Sequence, residues 1–242
     1  MAELIKFILD TEAPLPPEGK APLELRSQPS LPSVVPQGGT LDSDTSKRSY
    51  KFEDSENPPS GGRGAGAFIG HSMGGYIALA FAEKYPEYLS ALGLFHSTAY
   101  ADTDEKKATR RKGIDFIRQH GTFEFLKTAI PNLFSPQSKD EMPASIAEFI
   151  QQQHNFSPEA LVSYYEAMIQ RPDRTEMLRK SVVPVLFIMG KYDNAVPLAD
   201  CLEQCHLPEK SYIHILRKSG HIGMLEEPEA ANRVLDEFLQ EI

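Results

Sequence analysis

From residue 65 onward the chain alternates short apolar runs with longer segments of helical period. Ala67-Phe68-Ile69 is a short strand candidate, and residues 89–95 form the next buried strand. Residues 182–189, rich in β-branched side chains and interrupted only by Pro184, predict a third, and residues 212–216 a fourth. Between the first two, residues 74–85 predict a helix with Ile77, Phe81 and Tyr85 on one face and small Ala78 and Ala82 beside them. Pro86 ends it, because proline cannot continue the hydrogen-bond ladder. Residues 230–242 predict a closing amphipathic helix with Val234, Phe238 and Leu239 on one side. Strands and helices in this alternation predict an α/β fold with a parallel sheet.

Between the second and third strands lies a long stretch of helical character with no strand pattern. Residues 105–120 read as a helix stopped by Gly121. Residues 143–153 read as another. Ser157-Pro158-Glu159 opens one more, with serine as N-cap and proline at the first helical position. A helical insertion at about residues 100–180 would form a cap over a site at the end of the sheet. Its aromatic residues, among them Phe116, Phe125, Phe134 and Tyr165, are expected to be its packing core.

Residues 1–64 differ. Nine of the 19 prolines fall within residues 1–60, serines are dense, and no apolar period is sustained. Such a composition buries too little apolar surface to offset the entropy of ordering it. The expectation is an irregular N-terminal segment, with no long regular element in residues 10–60. The sheet would then be built from strands near residues 67, 92, 186 and 213. The strand at 67–69 would present an open edge, which invites self-association.

The net charge of −9 and the lack of a long basic run argue against a nucleic-acid partner and against anchoring to an anionic membrane. The apolar run at 182–189 is too short to span a bilayer. With two cysteines, Cys201 and Cys205, a disulfide scaffold is not expected. They read as half-buried thiols four residues apart on one helix face, without the partners that would complete a zinc set. A cytoplasmic protein is the expectation.

Gly70-His71-Ser72-Met73-Gly74 matches the pattern G-x-S-x-G. The pattern alone would arise by chance in roughly one such chain in ten. Its setting gives it weight, since an apolar strand precedes it and a helix follows at once. A serine on a strained strand-to-helix turn is lifted clear of the sheet. Small neighbours two residues to either side make room for the turn. The next backbone N–H, that of Met73, is aimed at a developing oxyanion. Serine needs a base. Of the seven histidines, His221 stands out, in Ser219-Gly220-His221 between the last strand and the final helix. His71 is expected to point away from the Ser72 hydroxyl. His96, His120, His154, His206 and His214 read as surface or packing residues. The base in turn needs a carboxylate to fix its tautomer. Asp193, in Gly190-Lys191-Tyr192-Asp193 after the third strand, is the first choice, with Asp102 and Asp104 as substitutes.

Phe68-Ile69-Gly70-His71-Ser72-Met73-Gly74-Gly75 resembles the nucleophile segment of the α/β-hydrolase superfamily. The stretch from Pro184 to Gly190, with Asp193 and Pro197, resembles its acid-bearing strand and loop. Gly220-His221 followed by Glu226-Glu227-Pro228 resembles its histidine segment. The order Ser72, Asp193, His221 is the one that superfamily shows. The resemblance covers residues 65–242 and implies a serine hydrolase, most often of carboxylic esters, with no cofactor and no metal. It also implies further strands, and a turn supplying a second oxyanion donor, ahead of the nucleophile. Upstream, Gln37-Gly38-Gly39 is the nearest glycine pair, and no buried strand pattern precedes it. The expectation is therefore a partial α/β-hydrolase sheet with a helical cap insertion. Its function would be cleavage of a small ester-like substrate through an acyl-Ser72 intermediate. The alternative is a hydrolase-like protein left inactive by the missing strands and donor.

Overall fold

The structure, a computed structural model, describes residues 66–242. The expectations for residues 1–64 lie outside the described residues. Four parallel strands form one sheet in the order β1-β2-β3-β4. They are β1 (Gly66–His71), β2 (Leu89–Phe95), β3 (Val185–Gly190) and β4 (Ser211–Leu216). Helix α1 (Met73–Lys84) joins β1 to β2. Six helices follow before β3: α2 (Asp104–His120), α3 (Thr122–Ala129), α4 (Pro136–Glu141), α5 (Pro143–Gln151), α6 (Pro158–Gln170) and α7 (Thr175–Arg179). The chain closes with α8 (Leu198–Leu202) before β4, then α9 (Gly223–Glu226) and α10 (Pro228–Gln240).

Side chains alternate across the central strands, and both faces are covered. Leu92 and Leu94 of β2 and Phe187 and Met189 of β3 pack with Ala78, Leu79 and Ala82 of α1. Ala91, Phe95, Leu186 and Ile188 point the other way, against Ala231, Val234 and Phe238 of α10. A strand covered on both faces has no polar side to show, so β3 and, past Ser90, β2 read as apolar runs. A third cluster joins Ile117 of α2, Leu126 of α3, Ile146 of α5 and Leu161 of α6 to Phe134 and Ile222. Because Ile222 follows His221, the insertion's core is continuous with the loop that carries that histidine.

The structure corrects three local readings. The inward face of α1 is Gly75, Ala78, Leu79 and Ala82, and Ile77 is 46% exposed. A helix this close to the sheet turns its small residues inward; a Cβ on Gly75 would lie 2.2 Å from Ser97 Oγ. Strand β3 begins at Val185 rather than Val182, which is 85% exposed. Pro184 has no N–H to give a neighbouring strand, although its carbonyl accepts from Leu92 N at 3.0 Å. Both cysteines are buried rather than half-buried, and Cys205 lies beyond the end of α8. Burial pushes the Cys201 thiol up to about 12 and the Cys205 thiol to about 11, so both are thiols at neutral pH.

The cap signals read from sequence hold. Gly121 follows α2 with φ 85, in the left-handed region that glycine occupies without steric cost. Ser157 Oγ accepts from Ala160 N at the start of α6. Among the described residues no helix is long and apolar enough to cross a membrane.

Candidate active site

In-register parallel pairing brings the C-terminal ends of the strands side by side: His71 faces Phe95, Phe95 faces Ile188, and Gly190 faces Leu216. The loops that leave these ends carry the chemistry, as in open α/β sheets generally.

Ser72 occupies the turn between β1 and α1 with φ 51. Positive φ in a residue with a Cβ costs on the order of 1–3 kcal/mol and persists only where the surroundings hold it. Ser72 N donates to Phe95 O at 2.9 Å, and Ser97 Oγ donates to Ser72 O at 2.8 Å. A Cβ at Gly70 would meet the Gly74 carbonyl at 2.2 Å, so that glycine is required by contact. A Cβ at Gly74 meets nothing within 4 Å. The need for a small residue that the motif places on Gly74 falls instead on Gly75, where α1 meets Ser97. Met73 opens α1, and its N–H is among the helix-end donors without an intrahelical acceptor.

Ser72, His221 and Asp193 converge. His221 Nε2 lies 2.8 Å from Ser72 Oγ, and His221 Nδ1 lies 2.8 Å from Asp193 Oδ2. With Nδ1–H donating to the carboxylate, Nε2 is left to accept the serine proton. The His221 loop is tied from several sides. His221 N donates to Leu133 O at 2.6 Å. Glu226 accepts from Gly220 N, Ile222 N and Ser135 N, and also from Ser138 Oγ. Glu227 accepts from Lys218 N and Ser219 Oγ. The Glu226-Glu227 pair thus clamps the histidine loop, and Glu226 also ties it to α4 of the insertion.

Asp102 and Asp104, the substitute acids, lie elsewhere. Asp102 is buried between Arg110 and Arg171, with Arg171 Nη1 at 2.9 Å from its Oδ1, and Asp104 begins α2. Burial works to raise the Asp102 carboxyl, but the two guanidinium groups hold it below its usual value.

Two histidines belong to the site that the sequence reading left out of it. His71 turns its ring toward the His221 main chain, and its Nε2–H donates to His221 O at 2.9 Å. Burial and the neighbouring His221 push its imidazole down to about 3. His96, read as a surface or packing residue, is fully buried and bonds Asp193 Oδ2 through Nδ1 at 3.0 Å. The available signal was its place directly after a central parallel strand, where site loops begin.

Burial works to raise the Asp193 carboxyl. The hydrogen bonds from His221 and His96 outweigh that and hold it well below the usual carboxylate range. The donor atoms of His96, Asp193 and His221 lie within 4.8 Å of one another, the spacing a metal site would need. Their protons do not suit one. Gly223 N–H donates to His96 Nε2, so His96 carries its proton on Nδ1, the atom that faces the carboxylate. The three groups are arranged for hydrogen bonding, not for offering lone pairs to a cation.

The two neutral histidines make the fold acid-sensitive. Burial lowers the pKa of both His71 and His96 in the folded chain. Below about 6.5 the unfolded chain therefore takes up protons that the folded chain refuses. Stability is thus expected to fall as pH drops below that point. His71 alone would account for about 2 kcal/mol between pH 7 and pH 5, with His96 adding in the same direction. Urea unfolding at the two pH values measures it, and His71→Gln should flatten the slope. An unchanged midpoint would mean that both imidazoles are free to protonate in the folded state.

A model of the alpha/beta hydrolase family matches residues 28–234, and the chain belongs to that family. Among curated proteins, it is 32% identical over 187 residues to a Bacillus subtilis (strain 168) protein provisionally named a 2-succinyl-6-hydroxy-2,4-cyclohexadiene-1-carboxylate synthase; the match covers 72% of this chain and 65% of that protein. It is 28% identical over 196 residues to a proline iminopeptidase of Saccharolobus solfataricus, covering 72% of this chain and 62% of that one. Among solved structures, a thermophilic esterase from Thermogutta terrifontis superposes with a TM-score of 0.68 at 28% identity, over 72% of this chain and 64% of that one. The chain spans just under two thirds of the length of these relatives.

Proposed function

We propose that this chain is a serine hydrolase that cleaves small carboxylic esters through an acyl-Ser72 intermediate. The observation that carries the reading is the unbroken relay of 2.8 Å contacts from Ser72 Oγ through His221 to Asp193. Ser72 attacks the ester carbonyl while His221 Nε2 takes its proton. Asp193 stabilises the imidazolium that forms. The Met73 N–H donates to the carbonyl oxygen as it becomes an oxyanion. His221 then returns the proton to the leaving alcohol. In the second half, water attacks the acyl-serine with His221 again as base, and the acid is released. The resemblance to an esterase in both sequence and structure supports esters as the substrate class.

The test is labelling of the purified chain with a fluorophosphonate, read by intact mass, alongside hydrolysis of p-nitrophenyl butyrate. One adduct per chain on Ser72, absent in Ser72→Ala and slowed in His221→Ala, is the expected result. No adduct and no hydrolysis would sink the reading in favour of a hydrolase-like protein without catalysis. An adduct without ester turnover would keep the nucleophile and discard esters as the substrate class.

A further inference from the structure

Resting on that reading of the site, we propose that His96 is a positioning residue. Its Nδ1–H shares Asp193 Oδ2 with His221 and so locks the carboxylate that orients the base.

The inference starts from how completely the structure holds this imidazole. His96 is the first residue after β2, with φ 48; Ser72 and His96 are the non-glycine residues at positive φ among those described. Histidine tolerates this region better than most residues, and its use beside the other strained position marks a held conformation. His96 N donates to Ile188 O at 2.8 Å, which fixes the backbone on β3. Two glycines, one ending β3 and one opening α9, leave room for the ring. A Cβ at Gly190 would lie 2.8 Å from His96 Cε1, and one at Gly223 would lie 2.5 Å from His96 Nε2. Gly190 precedes the Asp193 loop, and Gly223 follows His221. The ring therefore sits between the base loop and the acid loop.

Both of its nitrogens are used. Nδ1–H donates to Asp193 Oδ2, and Nε2 accepts from Gly223 N at 3.2 Å. Asp193 Oδ1 accepts from Ala195 N and Val196 N at 2.9 and 2.8 Å. The carboxylate thus takes four donors. Its own loop holds Oδ1, while Oδ2 is shared between the base and His96. Without His96, Oδ2 would keep only His221, the group it must orient, and the vacated space would let the carboxylate turn. The same segment braces the nucleophile, since Phe95 O and Ser97 Oγ hold Ser72 N and Ser72 O. His96 has no exposed surface, so it acts through Asp193 rather than on substrate. The titratable groups facing it are His71, Asp193, His221 and Glu226.

The experiment compares kcat and KM in the full chain carrying His96→Leu, His96→Asn or no change, with Tm as the check on folding. Asparagine tolerates the positive φ and places a short amide donor toward Asp193; leucine fills space without a donor. His96→Leu is expected to lower kcat by about 10- to 100-fold with little change in KM, the scale of a small misplacement of a reacting group. His96→Asn should recover most of that loss. Leucine with wild-type kcat, or asparagine no better than leucine, would overturn the proposal. Should the variants not fold, NMR of histidine-labelled wild type decides it. Two low-field Nδ1–H signals that both move in Asp193→Asn support the shared oxygen, and a single moving signal overturns it. An inactive, unlabelled wild type instead removes the reading of function beneath it.

Discussion

Ser72→Ala is expected to reduce ester turnover by about 10⁴- to 10⁶-fold, and His221→Ala by a similar factor. Each removes one end of the single 2.8 Å contact between hydroxyl and imidazole. Without the oxygen there is no acyl-enzyme, and without the base the hydroxyl stays protonated and a poor nucleophile. Groups that act as one unit lose their effect together. The double variant should therefore be little worse than either single one. Asp193→Asn should be nearly as damaging, about 10⁴-fold, because an amide facing Nδ1 favours the wrong imidazole tautomer. Steady-state kinetics on p-nitrophenyl butyrate, with Tm recorded for each variant, measures these effects. Wild-type turnover in folded His221→Ala would show that the base has been misassigned.

The second large effect concerns stability. Asp102→Ala is expected to destabilise the fold by about 3–5 kcal/mol, the cost of stranding buried charge. The Asp102 and Arg171 side chains are 1% and 8% exposed, and Arg110 shares the same carboxylate. Arg171 also donates to Met168 O and Tyr100 O and lies 3.9 Å from the centre of the Tyr76 ring. Among the described residues its Nε has no hydrogen-bond partner, and the Asp102 carboxylate is the charge that faces the guanidinium. Arg110 belongs to α2, Arg171 follows α6, and Tyr76 lies on α1. The cluster therefore pins the helical insertion to the sheet layer. Urea unfolding of the variant against wild type reads the loss directly. A change below about 1 kcal/mol would mean that water, not Asp102, compensates the two arginines.

The local part of this architecture was legible because its causes are local. The run of Ala91–Phe95 is apolar throughout since both its faces are buried, and the strand falls where that run does. Gly121 and Ser157 mark helix ends through the conformation and side-chain oxygen of one residue each. The strand-turn-helix setting of Ser72 likewise needed only neighbours in sequence, while the order Ser72, Asp193, His221 came with the resemblance to the superfamily.

What required the tertiary structure was the choice among similar partners far apart in sequence. His96 and His221 both follow strands, and nothing local says that both reach one oxygen of Asp193, 97 and 28 residues away. Asp102 resembles Asp193 as a loop carboxylate after a strand, yet two arginines from the insertion claim it. On α1, periodicity offered the face of Ile77, Phe81 and Tyr85, whereas Gly75, Ala78, Leu79 and Ala82 meet the sheet with Phe81 only partly buried beside them, because Ser97 leaves no room for a side chain at position 75. Period, caps and turns are set within a few residues, so sequence alone determined them. Which polar group meets which is set by strand order and packing distance, which exist only once the sheet has formed.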